Sequence, residues 1–544
     1  MRHVPPLLLL AAIAILLTFP AWVGFGSVFP GHPDGDAPDH LWGYWWIHHA
    51  LAAGVNPLHT TLSHWPPGGA LWFIDPVGAL LAAPLQVLLP VAAATTVVVT
   101  LQIWGGMAAM YAVTAPEGRG GAVLAAVLFG ASPYVLSLVH SGTYEYLNLA
   151  PIPLCWAAAL RAQREGGRWT GIAALTWLWA LLGAVYYGAF VGLLWVIALV
   201  HTRAWRRALL VPLLATLLAA PFLWLAWATL HAPDAVVRPE TAPGWRQAGL
   251  PAVDPLTWFR PGDYYFPDNR QTGNYGILHV SYLGWVGLAA AAWGLSRTPA
   301  LRLPLLLAAV LALGPALAWG GMPVRVGPLP LWLPTALLYA PGSPFGLVHH
   351  PFRLIVLPTL FLALAAARVP RYAWLFAGAA LLETLRLSPA TFPIPVTSGL
   401  APAGYAMATQ GATGVWDFPP GAHVENRRYE VLATVHQARM PYGVNSWLPA
   451  SWSGNPFVRG LLACLPDAER RGVSREGQPA PRAFFKPADP ARMGAGRAAL
   501  IRDGYSHLVV HTAGLSPTAL ACVAALIGPV AEHGDGFEVV RLEE

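Results

Sequence analysis

Read for hydrophobicity alone, the chain divides into long apolar runs separated by short polar breaks. A helix crossing a hydrocarbon core of about 30 Å needs roughly 20 apolar residues. Windows of that kind lie at 7–23, 90–113, 119–139, 146–161, 207–230, 277–296, 301–319, 352–368 and 371–388. The stretch 169–201 is long for one span and short for two. It breaks at Gly183-Ala-Val-Tyr-Tyr-Gly188, which predicts a tight helical hairpin and brings the total to about eleven spans. The pattern changes after 388. A strand-like Gly414-Val-Trp-Asp-Phe418 precedes a helix-like 495–503, a strand-like Ser506-His-Leu-Val-Val-His511, a helix at 516–532 and a last strand near Phe537-Glu-Val-Val540. That alternation predicts a small α/β domain over 389–544. The expected fold is an α-helical polytopic membrane domain, 1–388, followed by this domain.

Charge placement gives the spans a direction. With the N-terminus inside, the cytoplasmic breaks hold Arg2, Arg119, Arg161, Arg164, Arg168, Arg203, Arg206, Arg207, Arg297, Arg302, Arg368 and Arg371, against only Glu117 and Glu165. The first external loop, 24–76, has no Lys or Arg and carries Asp34, Asp36, Asp39 and Asp75. This is the asymmetry of the positive-inside rule. An odd number of spans then puts 231–276 and the tail outside. Composition agrees. Charged residues make up 11% and hydrophobic ones 56%, too few polar side chains to cover a water-facing surface. A soluble enzyme and a disordered chain are excluded. The net charge of +6 is spread thinly, which argues against nucleic-acid binding. Three cysteines cannot form a disulfide framework, although Cys464 and Cys522 both fall in the tail and can pair there if it is exported.

The chemistry concentrates in Pro30-Gly-His-Pro-Asp34-Gly-Asp36-Ala-Pro-Asp39-His40-Leu-Trp-Gly-Tyr-Trp-Trp-Ile-His-His49. From about Pro38 to Ala53 the pattern is helical, and Trp42, Tyr44, Trp45 and Trp46 suit a helix lying at the membrane–water interface. Asp36 and Asp39, three apart, would share a face. Asp36 also suits an N-cap, with Pro38 in the first turn. Asp34-Gly-Asp36 has a spacing that invites a divalent cation, Mg²⁺ or Mn²⁺, but two carboxylates make a weak site. His48 and His49 are expected to face the interface, and Glu383 with Arg386 to form a local i,i+3 pair. Trp258, Tyr264 and Tyr265 suit headgroup anchoring. Arg427-Arg428 reads as a solvated surface.

Gly35-Asp36-x-x-Asp39-His40-Leu41, followed by Leu51-x-x-Gly54-x-Asn56-Pro57 and Trp65-Pro66-Pro67-Gly68, resembles the first external loop of the GT-C superfamily. These are polytopic glycosyltransferases that use lipid-phosphate-linked sugars. Gly142-Thr-Tyr-Glu145 before Pro151-Ile-Pro153-Leu154, and His350-Pro351-Phe352-Arg353, are similar to further segments of such proteins. Val415-Trp-Asp-Phe-Pro419-Pro420 with Gly504-Tyr-Ser-His-Leu-Val-Val-His511 resembles the tail domain of uncharacterised bacterial members.

The resemblance implies transfer of a sugar from a polyprenyl-phosphate donor to an envelope glycan, lipid or protein, on the outer face of a bacterial inner membrane. An acceptor hydroxyl would attack the anomeric carbon and a carboxylate would take its proton. Asp36, matching the Gly-Asp of the pattern, is the first choice for that base and Asp39 the second. Arg353 is the choice to hold the lipid phosphate, with His349 and His350 assisting. Glu145, His40 and His64 are candidates for binding substrate, and Asp75 for joining them. The rival classes are a transporter or flippase and a catalytically silent envelope scaffold. Transporters tend to show repeated halves and mid-membrane charges, and this sequence has no repeat and nearly uncharged spans.

Overall fold

The computed structural model describes residues 3–72, 75–203, 209–236, 253–262, 277–320, 322–339, 350–369, 371–420, 426–443, 448–466 and 489–542. Ten helices occupy the first half of the described chain: α1 Val4–Leu17, α2 Ala37–Ala53, α3 Pro76–Leu85, α4 Val91–Thr114, α5 Arg119–Gly130, α6 Pro133–Ser141, α7 Pro151–Arg164, α8 Arg168–Gly183, α9 Val185–Thr202 and α10 Leu210–Leu230. Four more complete the bundle: α11 Trp285–Arg297, α12 Arg302–Ala312, α13 Val356–Ala366 and α14 Ala373–Leu387.

The apolar windows and these helices coincide closely, and the expected hairpin is α8 and α9, broken at Ala184. The number of spans is a different matter. Among the described helices, α4 with its short extension to Glu117, α9 and α10 are long and apolar enough to cross a membrane. The bent pair α5–α6 and the pair formed by α11 with 299–312 raise that number to five, and the expected eleven is not reached by this measure. Helix α3 falls between two expected spans and has no counterpart in the hydropathy reading.

Packing follows composition. Helix α4 lies against α1, α5 and α7, and α13 lies against α5, α11 and α12. The hydroxyls of Thr95, Thr96 and Thr100 in α4 each donate to the carbonyl four residues back, so these three bring no unpaired hydroxyl donor into the apolar bundle. Glu383 departs from its expected role. It accepts from the Tyr282 hydroxyl and from the backbone N–H of Trp285 and Val286, so it caps α11 from a neighbouring helix.

The tail is an α/β domain, as expected. Helices α15 Arg427–His436, α16 Pro456–Leu462, α17 Pro490–Arg502 and α18 Pro517–Ile527 surround its sheet. With β1 Val28–Pro30 and β2 Val396–Ser398 counted first, the sheet strands are β3 Val415–Phe418, β4 His507–His511, β5 Glu532–Gly534 and β6 Phe537–Arg541, in the order β5-β6-β4-β3. Strands β3 and β4 are parallel and the other pairs antiparallel. Cys464 and Cys522 form the disulfide, with Cα atoms 5.6 Å apart.

The tail is seated on the first loop. Strand β1 pairs with β2, Phe29 opposite Thr397. Trp42, Trp45 and Trp46 of α2 join one apolar core with Trp416, Tyr429 and Tyr442 of the tail. Helix α2 is therefore not an interfacial helix, because its indoles are covered by protein. Burying rings of this size stabilises by about 1.5–3 kcal/mol each, which accounts for their concentration here. Trp258 ends a 3-10 turn, while Tyr264 and Tyr265 lie outside the described residues.

Candidate active site

Backbone contacts dock the start of α2 on the end of α6. Gly142, with φ +70, closes α6 and lies so near Ala37 that a Cβ on it would meet the Ala37 nitrogen at 2.3 Å. The N–H of Asp36 donates to the Ser141 carbonyl at 2.8 Å, and that of His32 to the His140 carbonyl at 2.7 Å. This junction places the first turn of α2 beside the 3-10 turn Tyr144–Leu147.

Two linked polar groups result. In the first, Asp36 and Asp39 share a face and one guanidinium. Arg427 Nη1 lies 2.5 Å from Asp36 Oδ1, and Arg427 Nε lies 3.2 Å from Asp39 Oδ2. Glu430, one turn along α15 from Arg427, approaches Asp39. Burial raises the pKa of both Asp39 and Glu430, and Arg427 opposes the rise at each; the charge of Asp36 adds to it at Asp39, where the hydrogen bond with Glu430 works against it, and the charge of Asp39 adds to it at Glu430. The pair holds a proton above the ordinary carboxylate range. Asp36 keeps 16% of its side chain exposed against 1% for Asp39.

In the second group, His40 Nε2 lies 2.9 Å from Glu145 Oε2, and Arg353 Nη1 is 3.8 Å from Glu145 Oε1. Burial disfavours the imidazolium of His40, but the bond to Glu145 and the fields of Glu145, Asp75 and Asp36 outweigh it and raise its pKa. The Arg353 guanidinium sits 3.5 Å above the Tyr146 ring. Among the described residues its Nε has no hydrogen-bond acceptor. Arg427 is thus paired with two carboxylates, whereas Arg353, similarly buried, faces one carboxylate at 3.8 Å.

No family model matches the sequence, and no curated protein does either. Solved structures do match. An arabinofuranosyltransferase, AftD, from Mycobacteria superposes over 99% of this chain with a TM-score of 0.55 at 16% identity. The fold is GT-C. The chain spans 41% of the length of that neighbour. The archaeal oligosaccharyltransferase AglB from Archaeoglobus fulgidus, solved with an inhibitory peptide and a dolichol-phosphate, matches 94% of this chain and 69% of its own, at 13% identity and a TM-score of 0.46.

Within this fold the expected site residues separate. Asp36, Asp39, His40, Glu145 and Arg353 come together. His64 does not: it is buried under the tail with φ +55, its N–H bonded to the Tyr442 carbonyl. Asp75 caps α3, accepting from Gly78 N–H at 2.8 Å and the Tyr44 hydroxyl at 2.6 Å. His350 packs against the rings of His279 and Phe352, and His349 lies outside the described residues. The His48 ring is hydrogen-bonded to Ala83, and His49 stacks on Trp45. Asp36 stands at the N-cap position of α2 with Pro38 in the first turn, as expected, but its side chain makes no capping bond. Asp34 turns to His32 while Asp36 turns to Arg427, so the Asp34–Asp36 pair does not fit a divalent cation. Among the described residues no cluster of three or more metal-ligating side chains occurs.

Arg427 and Glu430 are the residues the sequence reading missed. The expected solvated surface at Arg427 is instead a buried ion cluster. A signal for it existed: a loop with four aspartates and no cation of its own requires one from elsewhere, and a basic pair heads α15.

Proposed function

We propose that this protein is a membrane glycosyltransferase that moves a sugar from a polyprenyl-phosphate donor to an envelope glycan, lipid or protein on the outer face of the inner membrane. The observation that carries the reading is the juxtaposition of Asp36 and Arg353 through His40 and Glu145, on a chain with the GT-C fold. Asp36 is the general base. It is the more exposed of the two loop carboxylates, while Asp39 is enclosed with Glu430. The acceptor O–H gives its proton to Asp36 as its oxygen bonds the anomeric carbon, and the carbon–phosphate oxygen bond breaks. The leaving phosphate is already a stable anion, so no general acid is needed. Arg353, with donors unused by Glu145, binds that phosphate and stabilises its growing charge. His40 and Glu145 hold the guanidinium in place. Arg427 neutralises the acid pair and anchors the tail. The disulfide supports a tail outside the cytoplasm, where thiols oxidise.

The test is transfer from a polyprenyl-phosphate sugar by the wild type, Asp36→Asn, Asp39→Asn and the double variant. Arabinofuranose is the first sugar to try, because the neighbour at TM-score 0.55 is named for it. Asp36→Asn is expected to lose about 10²–10⁴-fold in rate. Asp39→Asn is expected to lose less. Unchanged transfer in all three variants would reject the base assignment.

A further inference from the structure

At the far end of the bundle from the carboxylates, the chain encloses a second polar feature. A cavity of about 490 Å³ is lined by Arg119, Arg297, Arg368, Arg371, Glu117 and Trp374. The four arginines come from four separate places: the start of α5, the end of α11, the turn after α13 and the turn before α14. From Arg353 to Arg368 the chain is helical for most of 15 residues, roughly 22 Å at 1.5 Å per residue. The cavity and the carboxylate site therefore face opposite sides of the bundle.

Arginines scattered on one side of a membrane protein need no ligand, since orientation alone accounts for them. These four converge on one concave volume, and that sets them apart. Glu117 is the single acid in the lining and is paired with Arg368, which leaves three guanidinia uncompensated by it. The indole of Trp374 closes one wall, its Nε1 3.1 Å from where a Cβ on Gly120 would stand. The glycines that open α5 bring first-turn backbone N–H groups, which have no acceptor within the helix, into the same lining. Planar forked donors around a pocket fit a tetrahedral oxyanion bearing more than one free oxygen.

We propose that this cavity binds a phosphate group, carried either by an anionic phospholipid headgroup or by a soluble phosphate compound. The proposal is independent of the transferase reading. It is tested on the full-length protein in phosphatidylcholine nanodiscs doped with phosphatidylglycerol or cardiolipin, with retained lipid counted by native mass spectrometry. A parallel arm measures the thermal shift with inorganic phosphate and pyrophosphate. Arg297→Gln/Arg371→Gln should lower retention or the shift at least about tenfold. Glu117→Gln, which frees Arg368, should raise it. These side chains are solvent-exposed, so folding is expected to survive, and an Arg→Lys pair at the same positions controls for it. Retention of anionic lipid places the phosphate on a headgroup. A shift with soluble phosphate places it on a small molecule. Neither response, or a response equal in wild type and the Gln pair, overturns the proposal.

Discussion

Arg427 reaches out of the tail and satisfies two aspartates that lie far before it in the chain. Its side chain is 12% exposed, so removing it strands three carboxylates in a poorly solvated space. Breaking a buried pair in this way costs about 3–5 kcal/mol. Arg427→Ala is accordingly expected to melt several degrees lower and to release the tail to limited proteolysis. A variant that melts and resists protease like the wild type would show that the ion cluster is not what seats the tail. Asp36, Asp39, His40, Glu145 and Arg353 were all legible beforehand, because acids and guanidinia are rare in so apolar a chain and stand out at its polar breaks. Arg427 and Glu430 were not. Nothing local distinguishes a helix-borne Arg-x-x-Glu pair facing water from one facing two buried aspartates. Only the missing counter-charge of the loop hinted at it.

At the scale of elements, the site depends on how α2 meets α6. Gly142 is the critical residue, since it needs φ +70 and stands against the Ala37 backbone. Gly54, which ends α2 at φ +67, has nothing within 4 Å of a built Cβ. Gly54→Ala should therefore cost only the strain of a left-handed residue, about 1–2 kcal/mol. Gly142→Ala adds a backbone collision and should melt lower than Gly54→Ala and lose transfer as well. Equal melting temperatures would contradict the packing argument. The elements themselves follow from hydropathy, with exceptions that have physical causes. Helix α3 carries Pro84 near its end and is short, so no window of membrane length reveals it. The aromatic face of α2 has the composition of an interfacial helix, but the tail rather than headgroups covers it.

For the whole molecule, the buried titrating groups act in opposite directions. The folded His40 has a raised pKa, so its stabilisation is complete below about pH 6.5 and is lost as pH climbs through the raised value. Asp39 and Glu430 retain protons that an unfolded chain releases above about pH 4, so they too weaken the fold as pH rises. His436 behaves oppositely. Burial holds its pKa down at about 4, and its neutral Nδ1 accepts from Ala438 N–H. Its stabilisation is lost as pH falls from about 6.5 through that value. The melting temperature should peak in mildly acidic buffer and decline toward pH 8.5, with a shallower alkaline decline in Glu430→Gln. A Glu430→Gln profile that overlays the wild type would remove Glu430 from this account.

The pairing of β1 with β2, and of Asp36 with Arg427, also sets an order of events during synthesis. About 390 residues separate the two members of the ion pair. A ribosome adding about 5–20 residues per second leaves the acidic loop without its counter-ion for roughly 20–80 s. Over that interval the nascent polypeptide presents an unroofed row of indoles and repelling carboxylates, so the polar face around Asp36 is completed only once α15 has been made.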